Sequence, residues 1–235
     1  MNKIKLVLRV RFLKILHESS EESWVFNSRA EFKGLVKRVE SPKRVILLLH
    51  GLGQRGKRIY RKLLAQLPSD ALIIAPNGPF PIPRQKEGRA DFGHAWYFYD
   101  KHQGSYFVPM DLSIHWLKDL LKIENPTHLP VTIIGFSQGG YMSPHVGLAI
   151  PETQLVIGLA CEFRSNLIHK SPTFKLIALH GELDEIVTPG AQKSAIDLLK
   201  MKGIEVDYHL IPNSGHEITT EMAKVVNSLL EAYGK

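Results

Sequence analysis

Val131-Thr132-Ile133-Ile134-Gly135-Phe136-Ser137-Gln138-Gly139-Gly140 is the stretch whose reading decides the fold. Val131 to Ile134 is a short β-branched, apolar run, as a buried strand requires. A G-x-S-x-G pentapeptide follows at once, in the order strand, sharp turn, helix. A residue at the tip of such a turn has a strained backbone, so its neighbours two positions away must be small. Gly135 and Gly139 meet that need. Ser137 is therefore the candidate nucleophile. Gln138 opens the helix, so its backbone N–H points outward at an end that favours negative charge. The plainer alternative is a glycine-rich strand-to-helix turn with an incidental serine.

Working outward, the other apolar runs repeat the pattern. Arg44 to Leu49 reads as a strand, Ile59 to Leu67 as a helix that Pro68 stops, and Ala71 to Ala75 as a second strand. Apolar runs joined by a helix mean a βαβ unit in a parallel sheet. Asp111 or Ser113 caps a helix carrying Ile114, Leu117, Leu120 and Leu121. Further strands are expected over 155–160, 175–179 and 205–211, with helices over 191–201 and 218–230. Pro144 falls inside the helix after the turn, where it removes a hydrogen bond and favours a kink. Residues 3–12 alternate apolar with basic and read as a strand with one basic face. Residues 24–26 and 31–39 read as an antiparallel hairpin. Strands alternating with helices after an antiparallel start make residues 1–235 one α/β domain, with 1–40 as an N-terminal strand and hairpin extension.

Composition narrows the classes. The 235 residues are 44% hydrophobic and 23% charged, which are globular values. Cys161 is the one cysteine, so no internal disulfide forms; no metal site is expected, and a reducing, cytoplasmic setting fits. No apolar run approaches the ~18 residues that mark a membrane-spanning helix. Charges interrupt the apolar start, so it does not read as a secretory signal. The net charge of +7 is uneven: residues 1–62 hold 16 Lys+Arg against 5 Asp+Glu, and the remainder is net acidic. No nucleic-acid motif accompanies this basic start, so no nucleic-acid partner is expected. Weak peripheral contact with anionic lipid is compatible with it, and a solvated charged face is the simpler account.

A serine hydroxyl needs a base within hydrogen-bond reach and a third group to orient that base. On a parallel sheet such groups sit in loops at the carboxyl ends of the strands. The loop after residues 175–179 is His180-Gly181-Glu182-Leu183-Asp184; the one after 205–211 is Pro212-Asn213-Ser214-Gly215-His216. The chain order Ser137, Asp184, His216 follows. Glu182 and Glu185 compete for the acid, and His180 and His209 for the base. The offset of Asp184 from its strand, and a Gly-His turn before the last helix, favour the first choice. His50-Gly51-Leu52-Gly53 after the first parallel strand adds an oxyanion donor, so the expected pair is the backbone N–H groups of Leu52 and Gln138. His50 is expected to brace this loop, and Cys161 to be a buried thiol. Residues 76–109 are proline-rich, show no period and contain Trp96-Tyr97-Phe98-Tyr99. An irregular functional loop is expected there, with Trp96, Tyr97 and Phe98 either as an aromatic substrate wall or as ordinary packing.

These motifs occur together in register: Leu49 to Gly53, Pro76-Asn77-Gly78-Pro79 with the later Trp96, Gly135 to Gly140, His180-Gly181 with Asp184-Glu185-Ile186-Val187, and Gly215-His216. As a set they resemble the carboxylesterase/phospholipase family of α/β-hydrolases, which includes acyl-protein thioesterases and small bacterial esterases. The resemblance runs from about Val45 to the C-terminus. It implies a mostly parallel central sheet flanked by helices. It also implies hydrolysis of small esters or acyl thioesters with no metal or organic cofactor, and homodimers as a frequent state. Lysophospholipase activity on the same three residues, and a non-catalytic binding module, are the competing readings. Tyr97-Phe98-Tyr99 departs from the family's Trp-Phe-Asp, and residues 1–40 are longer and more basic than its usual start.

Overall fold

A computed structural model describes residues 33–86, 88–100 and 102–233. The strand expected over 3–12 and the hairpin arm at 24–26 lie outside them. Residues from Gly34 onward make one compact unit. Its strands, in chain order, are β1 (Gly34–Lys37), β2 (Arg44–Leu49), β3 (Ala71–Pro76), β4 (Phe80–Lys86), β5 (Arg89–Ala95), β6 (Phe98–Asp100), β7 (Ser105–Val108), β8 (Val131–Phe136), β9 (Thr153–Leu159), β10 (Lys175–Gly181) and β11 (Asp207–Ile211). Its α-helices are α1 (Gly56–Leu63), α2 (Met110–Glu124), α3 (Gln138–Ala149), α4 (Pro189–Met201) and α5 (Thr220–Tyr233). Among the described residues no helix is long and apolar enough to cross a membrane.

Among the described residues seven strands form the central sheet in the order β1-β3-β2-β8-β9-β10-β11. All neighbours are parallel except β1, which pairs antiparallel with β3 at the edge. The inner strands are buried on both faces, and this explains why they read as unbroken apolar runs. In β2, Ile46 and Leu48 face a cluster with Ile59 and Leu63 of α1 and Met222 and Val226 of α5. Val45, Leu47 and Leu49 alternate to the opposite face and are equally buried. Each such side chain contributes about 1.5–3 kcal/mol when fully removed from water. The parallel order places β8 beside β2 and β9, so the loops after β2, β8 and β9 emerge together.

Two sequence expectations change. Residues 76–109 are not an irregular loop but two antiparallel hairpins, β4–β5 and β6–β7. Prolines normally exclude a strand, yet Pro81 and Pro83 are two residues apart. Their missing N–H groups therefore fall on the same edge of β4, and β5 pairs with the other. The second change is at α2: its N-cap is Pro109, and the buried Ser113 hydroxyl instead donates to the Trp96 carbonyl. Pro144 does lie inside α3. Its missing N–H would have served Gly140 O, and the Ser143 hydroxyl donates to that carbonyl at 2.8 Å instead.

Candidate active site

Ser137 sits between β8 and α3 with φ 49° and ψ −118°, outside both helical and extended regions. Non-glycine residues hold such angles only where the surroundings over-determine them. A Cβ on Gly135 would collide with the Gly139 carbonyl, and one on Gly139 with the Leu49 carbonyl. The helix therefore starts pressed against the ends of both β8 and β2. Ser137 N–H donates to Leu159 O at 2.9 Å, and its carbonyl receives Tyr141 N–H at 3.0 Å.

The loop after β10 meets the loop after β11 because Gly181 has no side chain. A Cβ there would strike the carbonyls of Ser214 and Gly215. Glu182 N–H donates to Ile211 O at 3.0 Å and Leu183 N–H to Ser214 O at 2.8 Å, tying the loops together. Asn213 takes a positive φ of 52° in the turn that delivers His216. The Asp184 carboxylate is 3% exposed. Its Oδ1 accepts the N–H groups of Ile186 at 3.0 Å and Val187 at 2.9 Å. Its Oδ2 lies 2.8 Å from His216 Nδ1, and His216 Nε2 lies 3.0 Å from Ser137 Oγ. The imidazole also packs on the Phe136 ring, with centroids 5.2 Å apart.

The rivals named from sequence take other places. Glu182 is exposed and accepts Asn213 N–H, and Glu185 is exposed. His180 stays beside Asp184: it is buried with Nε2 2.6 Å from Val187 O and 3.4 Å from Asp184 Oδ2, so it braces that loop. His209 lies within β11. Cys161 is 1% exposed behind α3, and burial pushes its thiol far above the ordinary range.

The N–H of Gln138 is first in α3, so it has no partner within the helix. Across from it, the loop after β2 approaches so closely that a Cβ on Gly51 would lie 3.3 Å from Ser137 Cβ. Gly53 N–H donates to His94 O and Gln54 N–H to Gly51 O, while no described group takes the Leu52 N–H. His50 orients this segment. Its Nε2 accepts Gly78 N–H at 2.9 Å, so its Nδ1 carries the proton and donates to Gly51 O at 2.7 Å. That carbonyl belongs to the same peptide plane as the Leu52 N–H, so the bond aims the donor. Burial lowers the His50 pKa to about 4, leaving the ring neutral.

Trp96 differs from its expected place in a substrate wall. It is fully buried, its ring lies tilted against that of His50 with centroids 4.8 Å apart, and its Nε1–H donates to His50 O at 2.8 Å. It braces the loop and is closed to ligand. Tyr97 is 5% exposed, and Phe98 is half-buried against Phe80. The Gln138 side chain joins the two regions: Oε1 accepts Trp96 N–H at 2.9 Å and Nε2 donates to Tyr97 O at 2.9 Å. Nothing in the sequence pattern flagged that side chain, because its partners lie some 40 residues away.

A parallel sheet with a strained serine at a strand-to-helix turn, and an acid and a histidine from later loops, defines the α/β-hydrolase class. Residues 33–233 match the family model described as phospholipase/carboxylesterase, and the chain belongs to that family. Carboxylesterase SOBER1 of Arabidopsis thaliana is 26% identical over 204 residues, 79% of this chain and 89% of the relative. An acyl-protein thioesterase 1 homolog of Dictyostelium discoideum is 23% identical over 216 residues, 83% of this chain and 94% of the relative. The crystal structure of esterase PE8 superposes with a TM-score of 0.68 at 22% identity, covering 86% of this chain and 99% of that one.

Proposed function

We propose that this chain is a serine hydrolase that cleaves carboxylic esters or thioesters through an acyl-enzyme on Ser137. One observation carries the reading: the unbroken line Asp184 Oδ2, His216 Nδ1, His216 Nε2, Ser137 Oγ at 2.8 and 3.0 Å. Family membership supports the same class of reaction.

In this mechanism Asp184 keeps the proton of the resting imidazole on Nδ1, so Nε2 is free to accept the serine proton. Ser137 Oγ attacks the carbonyl carbon. The alkoxide that forms is held by the backbone N–H groups of Leu52 and Gln138, each worth roughly 3–4 kcal/mol at the transition state. His216 passes its proton to the leaving oxygen or sulfur, the acyl group stays on Ser137, and a water repeats the sequence to release the acid. The positive charge on His216 during each transfer is balanced by the buried Asp184 carboxylate.

The test is Ser137→Ala assayed with a short-chain p-nitrophenyl ester. kcat is expected to fall by about 10⁴ or more with an unchanged melting temperature. A fluorophosphonate probe should label Ser137 in the wild-type protein. Wild-type turnover by the variant, or labelling elsewhere, rejects the reading.

A further inference from the structure

Arg164 lies in the segment after β9, the strand next to the one that ends at Ser137. Its guanidinium carbon stands 4.7 Å from the Tyr99 ring centroid and 5.1 Å from that of Tyr141. Arg38, Arg44, Arg55 and Arg84 each hold a carboxylate. Arg164 is half-buried, pairs with no described carboxylate, and has a buried Nε without a partner. Glu162, two residues earlier, acts electrostatically on Tyr141 and does not form an ion pair with Arg164.

Two further polar groups gather around it. The Tyr106 hydroxyl is buried beside the Arg164 guanidinium, whose charge and weak hydrogen bond oppose the rise that burial causes in its pKa, and it has no other described partner. His145 Nε2 is buried and unpartnered. Burial is the main reason that ring stays neutral, and Arg164 adds to it while Asp111 opposes. Each unsatisfied buried polar group costs about 1–3 kcal/mol, and two of them, Arg164 Nε and His145 Nε2, around one phenol call for a ligand. There is room for one beside it: Tyr106 and His145 form part of the wall of a cavity of about 560 Å³ with Asp111, Ile114, Lys118 and Leu148, and Arg164 stands behind that wall against Tyr106. The cluster also connects to the reacting centre. Tyr141 is one helical turn from Ser137, and the Tyr97 ring lies 5.7 Å from that of Tyr106 while its carbonyl holds the Gln138 side chain.

We infer that Arg164, with the Tyr106 hydroxyl and His145 Nε2, is a subsite for a carboxylate carried by the substrate. This rests on the reading of Ser137 as nucleophile. A guanidinium presents paired N–H donors that match a carboxylate, and the phenol and imidazole add donors around it. Asp111 and Lys118 in the cavity wall carry opposite charges that offset, so the one charge of Arg164 that no described carboxylate holds suits a monoanion. The substrate is then an ester or thioester with a free carboxylate on its acyl arm or on its leaving group, rather than a wholly apolar acyl chain.

Two measurements test this separately from the nucleophile. The first is calorimetric titration of glutarate into the Ser137→Ala protein, with and without Arg164→Gln. Saturable binding weakened about tenfold or more by the second change is expected, the worth of one charge-assisted hydrogen bond. No binding, or equal binding to both proteins, overturns the subsite. The second compares kcat/KM for a mono-aryl glutarate with its methyl ester, and for acetyl esters of a carboxyphenol and of phenol. A preference for the anion of about tenfold or more within one pair, reduced by Arg164→Gln, is expected and identifies which arm carries the charge. Equal rates for both pairs overturn it. If glutarate binds through Arg164 but Ser137 is dispensable for turnover, the nucleophile assignment fails and the subsite stands. Where Arg164→Gln melts far below wild type, Arg164→Lys replaces it, keeping the charge and losing the paired donors.

Discussion

Asp184→Asn separates the orientation of the histidine from the architecture of its loop, because the two carboxylate oxygens have different tasks. Oδ1 accepts the N–H groups of Ile186 and Val187, at 3.0 and 2.9 Å, and an asparagine Oδ1 can keep both. Oδ2 faces His216 Nδ1 at 2.8 Å, with His180 Nε2 farther off at 3.4 Å. In the variant an NH₂ group stands there, and two donors cannot share that short contact. The imidazole is driven to accept at Nδ1, so its proton moves to Nε2. That nitrogen then points a hydrogen at Ser137 Oγ, 3.0 Å away, and cannot take the serine proton. Wrong tautomer with intact geometry is worth about 10⁴ in kcat, or about 5 kcal/mol at the transition state. Stability should fall only modestly, because the loop bonds survive and the new NH₂ meets the buried His180 Nε2 at the longer distance of 3.4 Å. Asp184→Ala is the contrast: it also strips partners from two backbone N–H groups, and should cost stability as well as rate. The assay is initial-rate hydrolysis of a short aryl ester near pH 7, with a thermal melt on each protein. Retention by Asp184→Asn of more than about a tenth of wild-type kcat would refute the tautomer argument.

Three further outcomes follow from contacts outside the proposed catalytic line. Trp96→Phe keeps the ring against His50 but leaves the His50 carbonyl without its donor; it should lower kcat more than it alters KM and cost about 1–3 kcal/mol in urea denaturation, and an unchanged kcat would show that this bond does not aim the Leu52 N–H. Ser143→Ala leaves Gly140 O beside Pro144 with neither a backbone nor a side-chain donor, so a loss of about 1–3 kcal/mol is expected, and an unchanged denaturation midpoint would mean the proline gap is tolerated unaided. His50 and His145 are held by burial at pKa values of about 4, below the ordinary histidine value, so the unfolded chain binds protons that the folded one refuses. Their stabilising effect is complete above about pH 6.5 and fades as pH falls toward 4, with a loss of about 2 kcal/mol each at pH 5; a urea midpoint that stays level from pH 7 to 5 contradicts this.

What the sequence determined by itself is local or follows chain order. The strand Val131–Phe136 and the turn at Ser137 were legible because buried parallel strands are unbroken apolar runs, and because a strained turn must be flanked by residues without bulk. Asp184 and His216 were legible because a parallel sheet delivers its loops to one end, and only a few acids and histidines follow its later strands. Tertiary structure decided everything that depends on a distant partner. Glu182 and Glu185 match Asp184 in chemistry; only the folded loops show that Asp184 alone is buried against His216. Trp96 reads in sequence as a substrate wall or as ordinary packing, and becomes a brace once its indole N–H meets the His50 carbonyl. Pro81 and Pro83 signal an irregular loop until β5 pairs with the edge of β4 that they leave free. Arg164 looks like any surface cation, and stands out only where tyrosines from three separate segments enclose it without an acid. Burial and hydrogen-bond pairing are properties of neighbours in space, and for these residues the neighbours lie far along the chain.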